Sequence, residues 1–341
     1  VCANQQPDHT TIARFRQRFE RQLETLFLES VRLCVQAGLG KVGTVAIDGR
    51  KLSTDASLDA NVTEKTVERD IRRWFEDAAA IDAAEDELYG ADKRGDELPP
   101  ELRGRKQRLE KLKQAKAELD DERAASDREL QDKIDRREAY KAEHGSYPMG
   151  RPPTGQKPRY ERKVNLTDPE SRILKSRKGF VQGYNGQVVA TVDQIVIAAD
   201  AVRENEDSNQ LLPMLEQAQH NLRRIGITDR IRSVLADGGY GTEDALAAFE
   251  NDKHMPEPFV AITSGNRDRA SRQRTPVADT ESARGRMLEK MRTQPARDVY
   301  RQRCHAVETV FGHQQSGLRF SGMSRRGHIA ARAEWHLTNA V

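Results

Sequence analysis

The chain has 341 residues, with 57 Lys+Arg against 54 Asp+Glu, a net charge of +3, 33% charged and 36% hydrophobic residues. Its mean hydropathy of −0.82 and short apolar runs exclude a membrane-spanning helix, which needs about 20 consecutive apolar residues. Three scattered cysteines, Cys2, Cys34 and Cys304, exclude a disulfide-stapled secreted scaffold, offer no metal-ligand spacing and fit a reducing cytoplasm. At roughly 100–200 residues per domain, the length implies two domains, or one with a large insertion. The chain begins at Val1 and ends in the apolar helical pattern Trp335 to Val341, so a piece of a longer protein is expected.

Residues 10–38 read as a helix or helix pair. Ile12, Phe15, Phe19, Leu23, Leu26 and Phe27 recur at helical spacing, and Thr10 and Thr11 are candidate caps. Val42 to Ile47 is a β-branched run after glycine and predicts a buried strand that ends at Asp48. Residues 63–143 turn to Glu, Lys, Arg, Asp and Ala, broken by Pro99-Pro100. Leu102, Leu109, Leu112, Leu119, Leu130 and Ile134 predict a helical hairpin or short coiled coil. Gly145 to Pro158 reads as a linker.

Further on, residues 180–202 predict a β-hairpin with Asp193 in its turn. A helix follows through about Arg224, then a strand Ser233–Ala236 ending at Asp237. A helix starting at Thr242 or Glu243 precedes a last strand, Phe259–Ile262. Residues 264–297 read as a basic loop, and Tyr300 to about Gly317 as a helix. This order is compatible with a ribonuclease-H-like α/β fold. Its mixed sheet would be flanked by helices, with the large charged helical insertion after the first strand.

The chemistry lies in Asp48 and Asp237. Each closes an apolar strand and is followed by glycine, Ala46-Ile47-Asp48-Gly49 and Leu235-Ala236-Asp237-Gly238. Acids at strand ends sit on a sheet rim, and glycine beside them lets a phosphate backbone approach. Glu308 lies among apolar helix neighbours, a costly place for an unpaired carboxylate. Three such acids can hold two hard divalent ions, Mg²⁺ or substitute Mn²⁺, for attack at phosphorus. His305, His313, Cys304, Asp193 and Asp207 read more simply as surface, packing, turn and cap residues, and Trp335 as core.

These residues resemble the DDE transposases of bacterial insertion sequences. The resemblance is carried by Val45-Ala46-Ile47-Asp48-Gly49-Arg50-Lys51, Gly183-Tyr184-Asn185-Gly186-Gln187, Ala236-Asp237-Gly238-Gly239-Tyr240-Gly241, and Tyr300-Arg301-Gln302-Arg303 leading to Glu308-Thr309-Val310-Phe311-Gly312. The opening Asn4 to Ile12 resembles the end of that family's N-terminal domain. The resemblance implies that Asp48, Asp237 and Glu308 are the catalytic, metal-holding triad. It implies that Tyr300 and Arg303 grip DNA phosphates. At the family's lysine, seven residues after Glu308, stands Gln315, and Arg319, Arg325 and Arg326 follow it.

The expected organisation is the end of a helical DNA-binding domain over 1–40, a catalytic domain over 41–62 and 160–341, and the insertion and linker over 63–159. The expected activity is metal-dependent cleavage and transfer of double-stranded DNA at insertion-sequence ends, by a homodimer associated with the bacterial nucleoid. A ribonuclease-H-like nuclease without strand transfer, or an inactive DNA-binding relative, would carry the same acids.

Overall fold

The computed structural model describes residues 8–89, 100–147, 152–153, 162–176, 179–262 and 280–341. Cys2, Asn4 to Pro7, Pro99, most of the expected linker and residues 264–279 of the expected basic loop lie outside the described residues. The chain divides into two compact units. One takes residues up to Asp55 and from Ile173 onward, and the other is Ala56–Arg172.

The chain opens with helix α1 (His9–Arg18), a 3₁₀ turn at Glu20–Gln22, and helix α2 (Leu23–Gln36). The α1 cap is Asp8, whose carboxylate accepts the Thr11 amide at 2.6 Å, rather than Thr10 or Thr11. An aspartate at that position also favours the positive end of the helix dipole. Strand β1 (Thr44–Ser53) follows. The second unit then contains β2 (Asn61–Thr63), α3 (Glu64–Tyr89), α4 (Pro100–His144) and β3 (Lys163–Asn165). Strands β4 (Arg172–Ser176), β5 (Gly179–Thr191) and β6 (Val196–Val202) lead to α5 (Leu211–Arg224), β7 (Ser233–Ala236), α6 (Glu243–Asn251) and β8 (Glu257–Val260). The chain closes with α7 (Ala283–Arg292), α8 (Gln294–Tyr300), a π-helical turn at Cys304–Glu308, α9 (Thr309–Ser316) and α10 (His328–Asn339).

The main sheet runs β4-β5-β1-β7-β8, with β6 also against β5. The β1–β5 and β5–β6 pairs are antiparallel, while β1–β7 and β7–β8 are parallel. This mixed sheet flanked by helices is consistent with a ribonuclease-H-like domain. Its central strands are buried on both faces, as parallel strands under helices must be: Val45, Ala46, Ile47, Val234, Leu235 and Ala236 are all fully buried. Trp335 of α10 is likewise buried, and its indole N–H donates to the Gln187 carbonyl at 2.9 Å.

Two local expectations change. Strand β1 does not end at Asp48 but runs five residues further, to Ser53. Its polar second half is held by β5, in register from Val45↔Thr191 to Ser53↔Gly183. Ladder hydrogen bonds do not depend on side-chain polarity, so the apolar pattern understates the strand. The end of the expected loop over 264–297 is instead helical, taken up by α7 and the start of α8. Ser282 and Thr293 cap α7 and α8 through their hydroxyls, and Pro295 suits the first turn of α8.

In the second unit, α3 and α4 enclose a small core of Val67, Leu112, Ala115, Leu119 and Val164. The spacing 112, 115, 119 keeps one face of α4 inward. Leu109 is buried too, whereas Leu130 and Ile134 are half-buried. Ion pairs Arg108–Asp70 and Lys116–Glu68 join the two helices, at 3.2 and 3.4 Å. Arg108, Lys116 and Glu68 are well exposed, so each pair contributes little.

Candidate active site

Ala46 of β1 pairs with Leu235 of β7. Two residues further along both strands the same register sets Asp48 beside Asp237, where β7 has ended and its chain departs as a turn. Adjacent strands lie roughly 4.8 Å apart, so two acids meet on one rim. Asp237 turns back on its own loop, its carboxylate accepting the Gly239 amide at 2.8 Å.

Asp48 is largely buried, with its side chain 19% exposed, and its Oδ2 pairs with Arg303 Nη2 at 2.9 Å. Its Oδ1 accepts the Gly49 amide at 2.9 Å. Burial nevertheless dominates. It lifts the Asp48 carboxyl from 3.8 to about 6, against Arg303 and the Gly49 amide, and the Asp237 and Asp207 charges add to the rise. For Arg303 burial works against the charged form, but Asp48, Tyr300, Asp237 and Tyr240 together hold it above the ordinary arginine value. Tyr300 is pushed up by burial, opposed by Arg303 and aided by Asp237 and Asp48. Asp48, Asp237, Tyr300 and Arg303 therefore form one electrostatic group.

A fourth acid belongs to this neighbourhood, although its sequence setting favoured a cap or surface role over support of the site. Asp207 Oδ1 accepts Asn185 Nδ2 at 2.7 Å, Gln187 Nε2 at 2.8 Å and Lys51 Nζ at 3.1 Å. The Tyr240 hydroxyl, fully buried, donates to Gln187 Oε1. Burial raises the Tyr240 pKa well above its usual value, and the charges of Asp207, Asp48 and Asp237 raise it further, so Tyr240 stays a neutral donor. This network explains Gly49 better than an approaching phosphate does. A Cβ at Gly49 would meet Asp207 Oδ1 at 2.8 Å and Asn185 Oδ1 at 2.9 Å, and would collide with Gln187 Nε2. Nothing local in the sequence signals Asp207. The carboxamides Asn185 and Gln187, two apart on a buried strand, were the available clue.

Glu308 stands apart from this group. It is exposed, and its Oε2 accepts the Cys304 thiol at 2.9 Å. The hydrogen bond to Glu308, followed by burial, pushes the Cys304 thiol up. Glu308 is carried by the π turn Cys304–Glu308, which buries Ala306 and Val307 in the core. In a continuous α-helix, five residues rotate by about 500°, which would put Glu308 about 140° away from Arg303. The wider i→i+5 turn reduces that offset, and such turns recur at functional sites. Among the described residues no group of three or more His, Cys, Asp or Glu is disposed to hold a metal ion. The donor chemistry still suits a hard divalent cation. Asp48 and Asp237 present carboxylate oxygens, and burial leaves the Asp48 charge poorly solvated beside a second acid.

Of the remaining expected residues, Gln315 and Arg319 are exposed just beyond, and Arg319 adopts a left-handed φ of 52°. That conformation is uncommon for a residue with a side chain and turns the backbone out of α9. Arg325 pairs with Glu20 at 2.9 Å and Arg326 with Asp55 at 3.1 Å. His305 meets Gln194, with 2.9 Å between their side-chain nitrogens.

No helix among the described residues is long and apolar enough to cross a membrane. No curated protein and no solved structure matches the chain. The model of one protein family does match, over residues 148–341, a span that takes in Asp237, Arg303 and Glu308. Its description is "Transposase DDE domain", and since the match covers more than half of the sequence, the chain belongs to the DDE transposase family.

Proposed function

We propose that this chain cleaves double-stranded DNA at insertion-sequence ends and transfers the cut strand to a target. The observation that carries the reading is the parallel register Ala46↔Leu235, which puts Asp48 and Asp237 at matching positions two residues on, where β1 and β7 part. Asp48, Asp237 and Glu308 would hold Mg²⁺ or Mn²⁺. When bound, such ions activate the attacking oxygen and neutralise charge at phosphorus.

The chain's own groups do the rest. Arg303 holds the Asp48 carboxylate in one orientation. The Asp207 network braces the same stretch of β1 through Gly49 and Lys51, so the carboxylate sits on a rigid strand. To hold such an ion, Glu308 would have to release the Cys304 thiol it now accepts from. Tyr300, Arg303, Gln315 and Arg319 are assigned to the DNA backbone. With a net charge of only +3, affinity must come from this local concentration of donors rather than from the whole molecule. A homodimer on two transposon ends completes the reading.

The test is nicking of end-containing duplex DNA with and without Mg²⁺. Asp48→Ala and Asp237→Ala should each abolish the metal-dependent product while keeping a folded sheet. Undiminished cleavage by either variant would remove that residue from the chemistry. Cleavage without joining would favour a nuclease.

A further inference from the structure

Arg50 follows Asp48 by two residues on β1. Side chains alternate along a strand, so Asp48 and Arg50 share one face, with Cα atoms about 6.7 Å apart. Gly49 and Lys51 take the other face, where Asp207 gathers its donors. The residue opposite Arg50 on β5 is Gly186, which offers no side chain to pair with it. A Cβ there would lie 2.7 Å from Leu52 Cδ1 and 3.0 Å from the Trp335 ring, so a larger residue would have to displace them.

Arg50 is half-buried, and its Nη1 is buried without a hydrogen-bond partner among the described residues. Asp48, the nearest acid in the strand, is taken by Arg303 instead. Arg303 adds a second such donor, since its Nε is also buried without a partner among the described residues. Arg50 Nη1 and Arg303 Nε are thus buried N–H groups without a partner among the described residues. Buried donors are normally paired, and an orphan requires an explanation. A ligand with several anionic oxygens supplies one, because the planar guanidinium fork matches phosphate.

We propose that Arg50 contacts a phosphate oxygen of the DNA strand bound at Asp48, beside Arg303. The proposal rests on the DNA phosphoryl-transfer reading above. It accounts for a cost carried by the free protein, since an arginine left unpaired in the fold is satisfied only when substrate arrives.

The experiment measures affinity of wild type, Arg50→Gln and Arg50→Lys for a short random-sequence DNA duplex. It is done in chelator over a range of salt, with thermal midpoints recorded alongside. Arg50→Gln should bind about tenfold more weakly, the scale of a lost charged hydrogen bond. Its log–log salt slope should be smaller by about 0.9, for one lost phosphate contact. Arg50→Lys should recover the slope, because it keeps the charge. The midpoint of Arg50→Gln should equal or exceed that of wild type, since an unpaired buried cation has gone. Wild-type affinity and slope in Arg50→Gln, or a lowered midpoint with the slope unchanged, would overturn the inference and leave the transposase reading standing. Failure of the wild type itself to bind the duplex would overturn that reading, and the inference with it.

Discussion

Replacing Asp48 by Asn should stabilise the metal-free protein at neutral pH. The Asp48 carboxyl rises from 3.8 to about 6 on folding, chiefly through burial. The folded state therefore holds this proton more tightly than the unfolded chain does. The resulting stability is complete below about pH 4 and is lost as the pH rises through 6. A rise of about two units corresponds to about 3 kcal/mol. With the side chain 19% exposed, solvent screening trims this only modestly, and about 2 kcal/mol is expected. Asparagine resembles the neutral acid and still accepts from Arg303, so it avoids the loss. The two proteins should be equally stable near pH 4 and diverge above it. The assay is urea unfolding between about pH 4 and 8 in chelator, followed at the buried Trp335 in a Trp74→Phe background. Added Mg²⁺ should narrow the gap by stabilising only the wild type, through ligand linkage. An Asn variant that is less stable than wild type at neutral pH in chelator, or a gap independent of pH, would refute the argument.

Four further outcomes follow from particular contacts. Gly49→Ala should cost about 1–3 kcal/mol in denaturant unfolding, because its methyl group would enter the Asp207 network; an unaffected midpoint would show that the network yields. Asp207→Ala removes the acceptor shared by Asn185, Gln187 and Lys51, and should cost about 2 kcal/mol and lower cleavage even where the fold is intact. Leu119→Ala, in the core between α3 and α4, should cost about 3 kcal/mol, with hydrogen exchange rising within Ala56–Arg172 while β1 and β5 stay protected. Gln315→Lys should tighten binding to end-containing DNA and steepen its salt dependence by about 0.9, which equal slopes for the two proteins would contradict.

Much of this protein is legible in its sequence, because much of it is local. The buried strands Val45–Ile47 and Ser233–Ala236 announce themselves by unbroken β-branched and apolar runs, each leading directly into an aspartate. The charged residues from 63 to 143 can form only solvated helices, and their sparse leucines name the face that turns inward. What the tertiary structure decides is pairing at a distance. Asp207 is 156 residues beyond Lys51 and finds it only because β5 sets Asn185 and Gln187 opposite Lys51 and Gly49. The family resemblance assigns Arg303 to DNA phosphates, yet in the fold it ends on Asp48, 255 positions earlier in the chain. The π turn that carries Glu308 has no composition of its own; packing Ala306 and Val307 into the core settles it. Hydrophobic periodicity records which side of an element is buried, whereas the partner of a polar group depends on which strands the whole sheet brings side by side.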